Sequence, residues 1–138
     1  MTHATIPTAP RLAARQLLIC ILMGIALWFF AALLLRMLGQ AELLSKGNMA
    51  LLYALVIPGT IPFVYLIRLV ARLHPGQLGP GLAVATAAAA LCDGMALIWF
   101  PGLYGATTEI IAFSGASILW GAGVAIALGF LLDRPPSA

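Results

Sequence analysis

Charge is what this sequence has least of. Of its 138 residues only 8% are charged, whereas 63% are hydrophobic; ordinary soluble domains carry roughly 25% charged residues. So little charge cannot wet the surface of a water-soluble domain, and the composition points to an integral membrane protein. Cysteine is also scarce. Cys20 and Cys92 fall at depths that differ by roughly 10 Å or more along their helices, too far for a disulfide, whose Cα atoms must approach within about 7 Å. Neither belongs to a CxxC pair, which argues against thiol–disulfide exchange. Segments of roughly 10 residues with alternating polarity are missing, and with them the signature of a transmembrane β-barrel. HExxH, a Gly-rich phosphate loop, a Ser/His/Asp set and a metal-ligand cluster are missing too. His3 lies in the N-terminal lead and His74 in the His74-Pro75-Gly76 turn, both too shallow to ligate haem in a bundle core. The sequence therefore calls for no enzyme chemistry, no metal and no cofactor.

Long apolar runs are what is present. A crossing helix needs about 20 apolar residues to cover a hydrocarbon core of ~30 Å. The chain holds four such spans, at about 16–38, 49–70, 80–101 and 108–132, within a single membrane domain covering 1–138. The first, second and fourth are uncharged through their cores, and the third is interrupted only by Asp93. The expected fold is an all-α integral membrane four-helix bundle, wrapped by the lipid bilayer.

Orientation follows from the distribution of Lys and Arg. Arg11, Arg15, Arg68, Arg72 and Arg134 share one side, and Arg36 and Lys46 the other. The positive-inside rule makes the majority side cytoplasmic, with both termini inside and the loops at 37–48 and 101–109 outside. The first run is longer than the ~7 to 15 residues of a signal h-region and shows no small-residue cleavage site before Arg36, so it reads as a retained anchor. The lead with Pro7 and Pro10 and the Pro135-Pro136 tail read as mobile ends. The net charge of +3 is the product of this bias and implies no nucleic-acid partner.

Asp93 is the residue on which function turns. An ionised carboxylate at that depth costs ~2.5 to 3.5 kcal/mol on insertion scales, so it must be paired, protonated or wet. Helical spacing puts Thr86, Ala89, Ala90, Ala96 and Leu97 on its face and sends Leu91, Met95 and Ile98 elsewhere. Small neighbours admit another helix, so Asp93 is expected to face the bundle interior. There it either carries a proton or cation, or clasps a neighbouring helix. Arg36 is its nearest cation by depth, unless the guanidinium snorkels outward to headgroups. Glu109 is a second partner for Arg36, or an exposed acid in the first turn of helix 4, where the dipole favours it.

Helix 2 carries Ile57-Pro58-Gly59-Thr60-Ile61-Pro62. Two prolines remove backbone donors and clash with preceding carbonyls, so the helix is expected to kink or unwind at Pro58 and Pro62. Freed carbonyls at membrane depth need protein or a water-filled cavity around them, and such breaks line sites in transporters. Tyr53, Thr60 and Tyr65 are polar groups within reach. Helix 4 repeats Ser117, Gly121, Ala125 and Gly129 at four-residue intervals, a small-residue packing seam for helices of the same chain, a second copy or another membrane protein. Trp99, Phe100 and Tyr104 suit the outer interface. Trp28 and Trp120 lie deeper and are expected to give their indole N–H to interhelical acceptors.

Asp93-Gly94, Trp99-Phe100-Pro101 and Tyr104-Gly105 together resemble a pattern of uncharacterised four-span bacterial inner-membrane proteins, a domain of unknown function. The resemblance covers about a tenth of the chain. It implies the four-span topology and a location in a bacterial inner membrane, and carries no activity. The small multidrug exporters share the size but place a Glu in helix 1, where this chain has none.

The functional expectation is transport or permeation of a small solute or ion through a polar site at Asp93, with Arg36, Glu109, Tyr53, Pro58 and Thr60 as candidate companions. The alternative is a non-catalytic accessory or scaffolding subunit of a membrane complex. A lipid-acting enzyme would have only Glu109 with Tyr104 to work with.

Overall fold

The structure is a computed structural model and describes residues 10–133. The lead before Pro10, with His3 and Pro7, and the tail from Arg134, with Pro135-Pro136, lie outside the described residues. Within them the chain forms α1 (Ala14–Gln40), α2 (Met49–Ala71), α3 (Leu78–Trp99), a 3-10 turn (Pro101–Leu103) and α4 (Thr108–Leu131). All four helices are long and apolar enough to cross a membrane. At 1.5 Å per residue they measure ~33 to 40 Å, against a hydrocarbon core of ~30 Å.

α1 is longer than its apolar run because its flanks also favour helix. Gln16 accepts a hydrogen bond from the Ala13 N–H at 2.9 Å and so covers a free donor of the first turn. Arg36 sits in the last turns with a stem long enough to leave the apolar zone. α4 starts at Thr107, whose hydroxyl accepts from the Ile110 N–H at 3.3 Å. α2 runs unbroken through Pro58 and Pro62, so the local unwinding that two prolines allow does not occur. The Thr60 hydroxyl donates to the Val56 carbonyl at 2.7 Å inside this stretch.

Around the bundle the order is α1, α3, α4, α2. α1 packs mainly on α3, α3 on α4 and α4 on α2, while α1 and α2 touch more sparsely. The α1–α3 contact is close because Gly24 lies directly on the Ala85 backbone, where a Cβ would collide with the carbonyl. The helix 4 seam faces inward: a Cβ on Gly129 would come within 2.8 Å of Leu82, and one on Gly121 within 3.9 Å of Val56. Large side chains such as Leu69, Ile98, Leu119 and Leu131 point outward, an arrangement suited to lipid and hostile to water.

Two buried clusters plug the bundle. Near one end lie Cys20, Val64, Ile67, Leu78, Leu82 and Ala85, and near the other Ala32, Leu35, Leu44, Ala96 and Tyr104. Beyond the first cluster a polar network ties the chain together. Gln16 Nε2 donates to the Arg72 carbonyl and to Gln77 Oε1, both at 3.0 Å, and Gln77 Nε2 donates to the Arg11 carbonyl at 2.9 Å. Asp133 accepts from the N–H groups of Gly76 and Gly79 at 2.9 and 3.1 Å, a carboxylate at the positive end of α3. Gly76, at φ 84, supplies the left-handed turn that aims its N–H at Asp133.

Candidate functional site

Between the two plugs, helices α1 to α4 line a half-open cavity of about 420 Å³. Its wall is built almost wholly from aliphatic and aromatic side chains, with Gly59, Thr60, Thr86, Ser117 and Gly121 among the exceptions, and Asp93 is its one charged residue. Asp93 is buried at 9% exposure, whereas Leu91, Met95 and Ile98 are exposed. The carboxylate thus faces inward as its small-residue face predicts.

Its hydrogen-bond partners are Trp28 and Tyr104. Trp28 Nε1 donates to Asp93 Oδ1 at 2.9 Å and shares its hydrogen with the Tyr104 hydroxyl at 3.1 Å. The Tyr104 hydroxyl in turn donates to the same Oδ1. Both donors fall on one carboxylate oxygen, and Oδ2 receives no hydrogen bond from the described residues. The triangle joins the middle of α1, the last third of α3 and the residue after the 3-10 turn.

Tyr104 is a correction to the sequence reading. An interfacial anchor was expected, but the residue is fully buried, at 0% exposure. The chain leaves α3 at Phe100, whose backbone (φ -135, ψ 51) has turned out of the helical region ahead of Pro101, a region that a residue before proline avoids. The turn Pro101–Leu103 then reverses it, with the Tyr104 N–H donating to the Pro101 carbonyl at 3.0 Å. Gly39 and Gly105 leave room for Ile110 beside this turn. Burial, with the Asp93 carboxylate beside it, pushes the Tyr104 hydroxyl above the usual phenol range, so it stays protonated and acts as the donor.

The other candidates separate. Arg36 does not meet Asp93; it donates to the Gly102 carbonyl at 3.3 Å. Glu109 is exposed in the first turn of α4, and the Tyr104 hydroxyl is committed to Asp93 instead of to it. Thr60 lines the cavity, but Pro58 and Pro62 are exposed and stand outside its wall. Tyr53 belongs to the α2–α4 contact: its ring stacks on Trp120 at 4.8 Å and its carbonyl accepts from Trp120 Nε1 at 3.0 Å. Ser117, Gly121 and Ala125 of the helix 4 seam line the cavity. Trp28 and Trp120 both donate to interhelical acceptors, as their depth suggests, but the sequence did not single out Asp93 as the acceptor of Trp28. Cys20 and Cys92 are free and separate. No group of three or more His, Cys, Asp or Glu suited to a metal ion occurs among the described residues.

Fold and site together define a polytopic helical protein with membrane-span-like helices, built around one buried carboxylate. No protein-family model matches the chain, and no curated protein and no solved structure matches it.

Proposed function

We propose that the protein binds and passes a small solute within the membrane, using Asp93 as the polar point of the cavity. The observation that carries this reading is a buried carboxylate in the wall of an apolar cavity with one oxygen left without a hydrogen bond. Intramembrane acids that face a cavity mark solute and proton sites by default. In this proposal the protein resides in a bacterial inner membrane and resembles four-span proteins of that membrane. Both termini are cytoplasmic, by the excess of Arg at the Gln16/Gln77 end, and α2 bends at Pro58 and Pro62 to widen the cavity beside Thr60.

A second reading, an accessory or scaffolding subunit, draws on the Trp28–Asp93–Tyr104 triangle, which fastens α1, α3 and the 3-10 turn together whether or not a solute binds. Infrared titration of the Asp93 carboxyl in bilayers, wild type against Asp93→Asn, separates the two. The groups around that carboxyl are Trp28 from α1 and Tyr104 after α3, with the hydroxyls of Thr60 on α2 and Ser117 on α4 in the same cavity wall. A solute site gives a band that follows bulk pH and shifts when a solute is added. A band fixed across pH, together with a weakened bundle in Asp93→Asn, favours the clasp.

A further inference from the structure

We infer that the cavity takes an organic cation with a largely apolar body, admitted sideways from the bilayer between α1 and α2, with its positive centre at Asp93 Oδ2. This rests on the reading of the Asp93 cavity as a solute site and names the solute's class.

The wall selects against the alternatives. A hard metal cation needs about six oxygen ligands, and the side chains of this wall offer only the Asp93 carboxylate and the hydroxyls of Thr60, Thr86 and Ser117, spread over three helices. The Thr60 hydroxyl donates to the Val56 carbonyl at 2.7 Å and the Ser117 hydroxyl to the Phe113 carbonyl at 2.8 Å. The Trp28 N–H is shared between Asp93 and Tyr104. The polar side-chain groups of the wall without any hydrogen bond from the described residues are Asp93 Oδ2 and, two turns away along the same face of α3, the Thr86 hydroxyl. An anion meets a carboxylate and no cation, because Arg36 is held at the Gly102 carbonyl. A neutral apolar molecule fits the wall but leaves the carboxylate unpaired. An organic cation answers both: its body buries against the aliphatic wall and its charge supplies the partner that the bundle lacks. Trp28, Phe30 and Phe63 in the same wall offer aromatic faces to such a cation.

The route is set by packing. The apolar plugs close the cavity toward both ends of the bundle. The sparse α1–α2 contact leaves the least packed side, bridged by the paired rings of Phe30 and Phe63, whose centroids lie 5.9 Å apart and tilted. Leu34 of α1 and Leu55 of α2 line the cavity there and are exposed on the bundle surface. A lipophilic cation dissolved in the bilayer meets an apolar threshold at that seam.

The test is equilibrium binding of tetraphenylphosphonium to the full chain in lipid nanodiscs, against tetraphenylborate, an anion of the same shape, with the Asp93 carboxyl band recorded in the same samples. Saturable phosphonium binding is expected, with borate and Asp93→Asn each weaker by about tenfold or more, as loss of a charged contact implies. Gly59→Phe keeps the carboxylate and adds a ring at the exposed rim of the cavity wall on α2, where a Cβ meets open space; by narrowing the entry it is expected to weaken binding about tenfold or more in a folded protein. If the carboxyl titrates with bulk pH but phosphonium and borate bind alike, or Gly59→Phe binds as wild type does, the cation inference falls and the solute site stands. A carboxyl fixed across pH, with no saturable binding, removes both.

Discussion

At the scale of single residues, Asp93 Oδ1 is held by two donors that also touch each other. Trp28 gives it an indole N–H, and Tyr104 gives it a hydroxyl while accepting from the same indole. Either donor alone still satisfies that oxygen, so removing one costs less than leaving the buried acceptor bare. Tyr104→Phe and Trp28→Phe are each expected to destabilise by about 0.5 to 1.5 kcal/mol, the net worth of one hydrogen bond. The double variant should lose more than their sum, by ~0.5 to 3 kcal/mol of coupling. Denaturant unfolding in mixed micelles measures all three. Additivity to within ~0.5 kcal/mol would mean that the triangle does not act as a unit. The part of this site legible in the sequence was the carboxylate and its inward face, since helical spacing sorts Thr86 and Ala89 from Leu91 and Met95. Tyr104 was not legible, because its burial depends on the turn at Pro101 folding the chain back against α1. Nothing local to Tyr104 distinguishes an amphipathic aromatic at the interface from one tucked beneath it.

At the scale of elements, helix association in lipid gains little from apolar burial and depends on how closely backbones approach. Gly24 sets that approach for α1 and α3, and its hydrogen faces the Ala85 backbone. Gly123 faces open space on α4. The two glycines therefore predict opposite outcomes for one chemical change. Gly24→Ala is expected to force α1 from α3 and cost ~1 to 3 kcal/mol, as overpacking does. Gly123→Ala is expected to be neutral or to stabilise by ~0.5 to 1 kcal/mol, through the helix propensity of alanine. Thermal unfolding in detergent distinguishes them, and equal losses would remove Gly24 as the spacer. The sequence exposed four spans because charge vanishes over ~20 residues at a time, and the four-residue interval of Ser117, Gly121, Ala125 and Gly129 exposed a seam. It could not say that this seam faces α2, α3 and the cavity. It also led to Pro58 and Pro62 as wall residues, whereas helix continuity keeps both out of the cavity wall, which on this stretch of α2 is made by Thr60 and the edge of exposed Gly59.

At the scale of the whole molecule, the two ends differ in kind. The Gln16/Gln77 end carries Arg11, Arg15, Arg68 and Arg72 with a network of side-chain bonds to backbone carbonyls. The opposite end is closed by Tyr104 and holds Arg36 and Lys46. A cation seated at Asp93 lies toward this second end, past the middle of α3. The orientation of the chain therefore decides on which side of the membrane potential the charge comes to rest, and each elementary charge moved across it is worth ~2.3 kcal/mol per 100 mV. The excess of Arg at the first end predicts that it is cytoplasmic. With Cys20 and Cys92 replaced by alanine, a cysteine introduced at exposed Lys46 is expected to react with a membrane-impermeant maleimide in intact cells. One introduced at exposed His74 should react only after the membrane is opened. The reverse pattern would invert the molecule and put the Asp93 end inside. Labelling of both positions in intact cells would mean two orientations coexist, and a cation drawn by the potential would then meet Asp93 from either side.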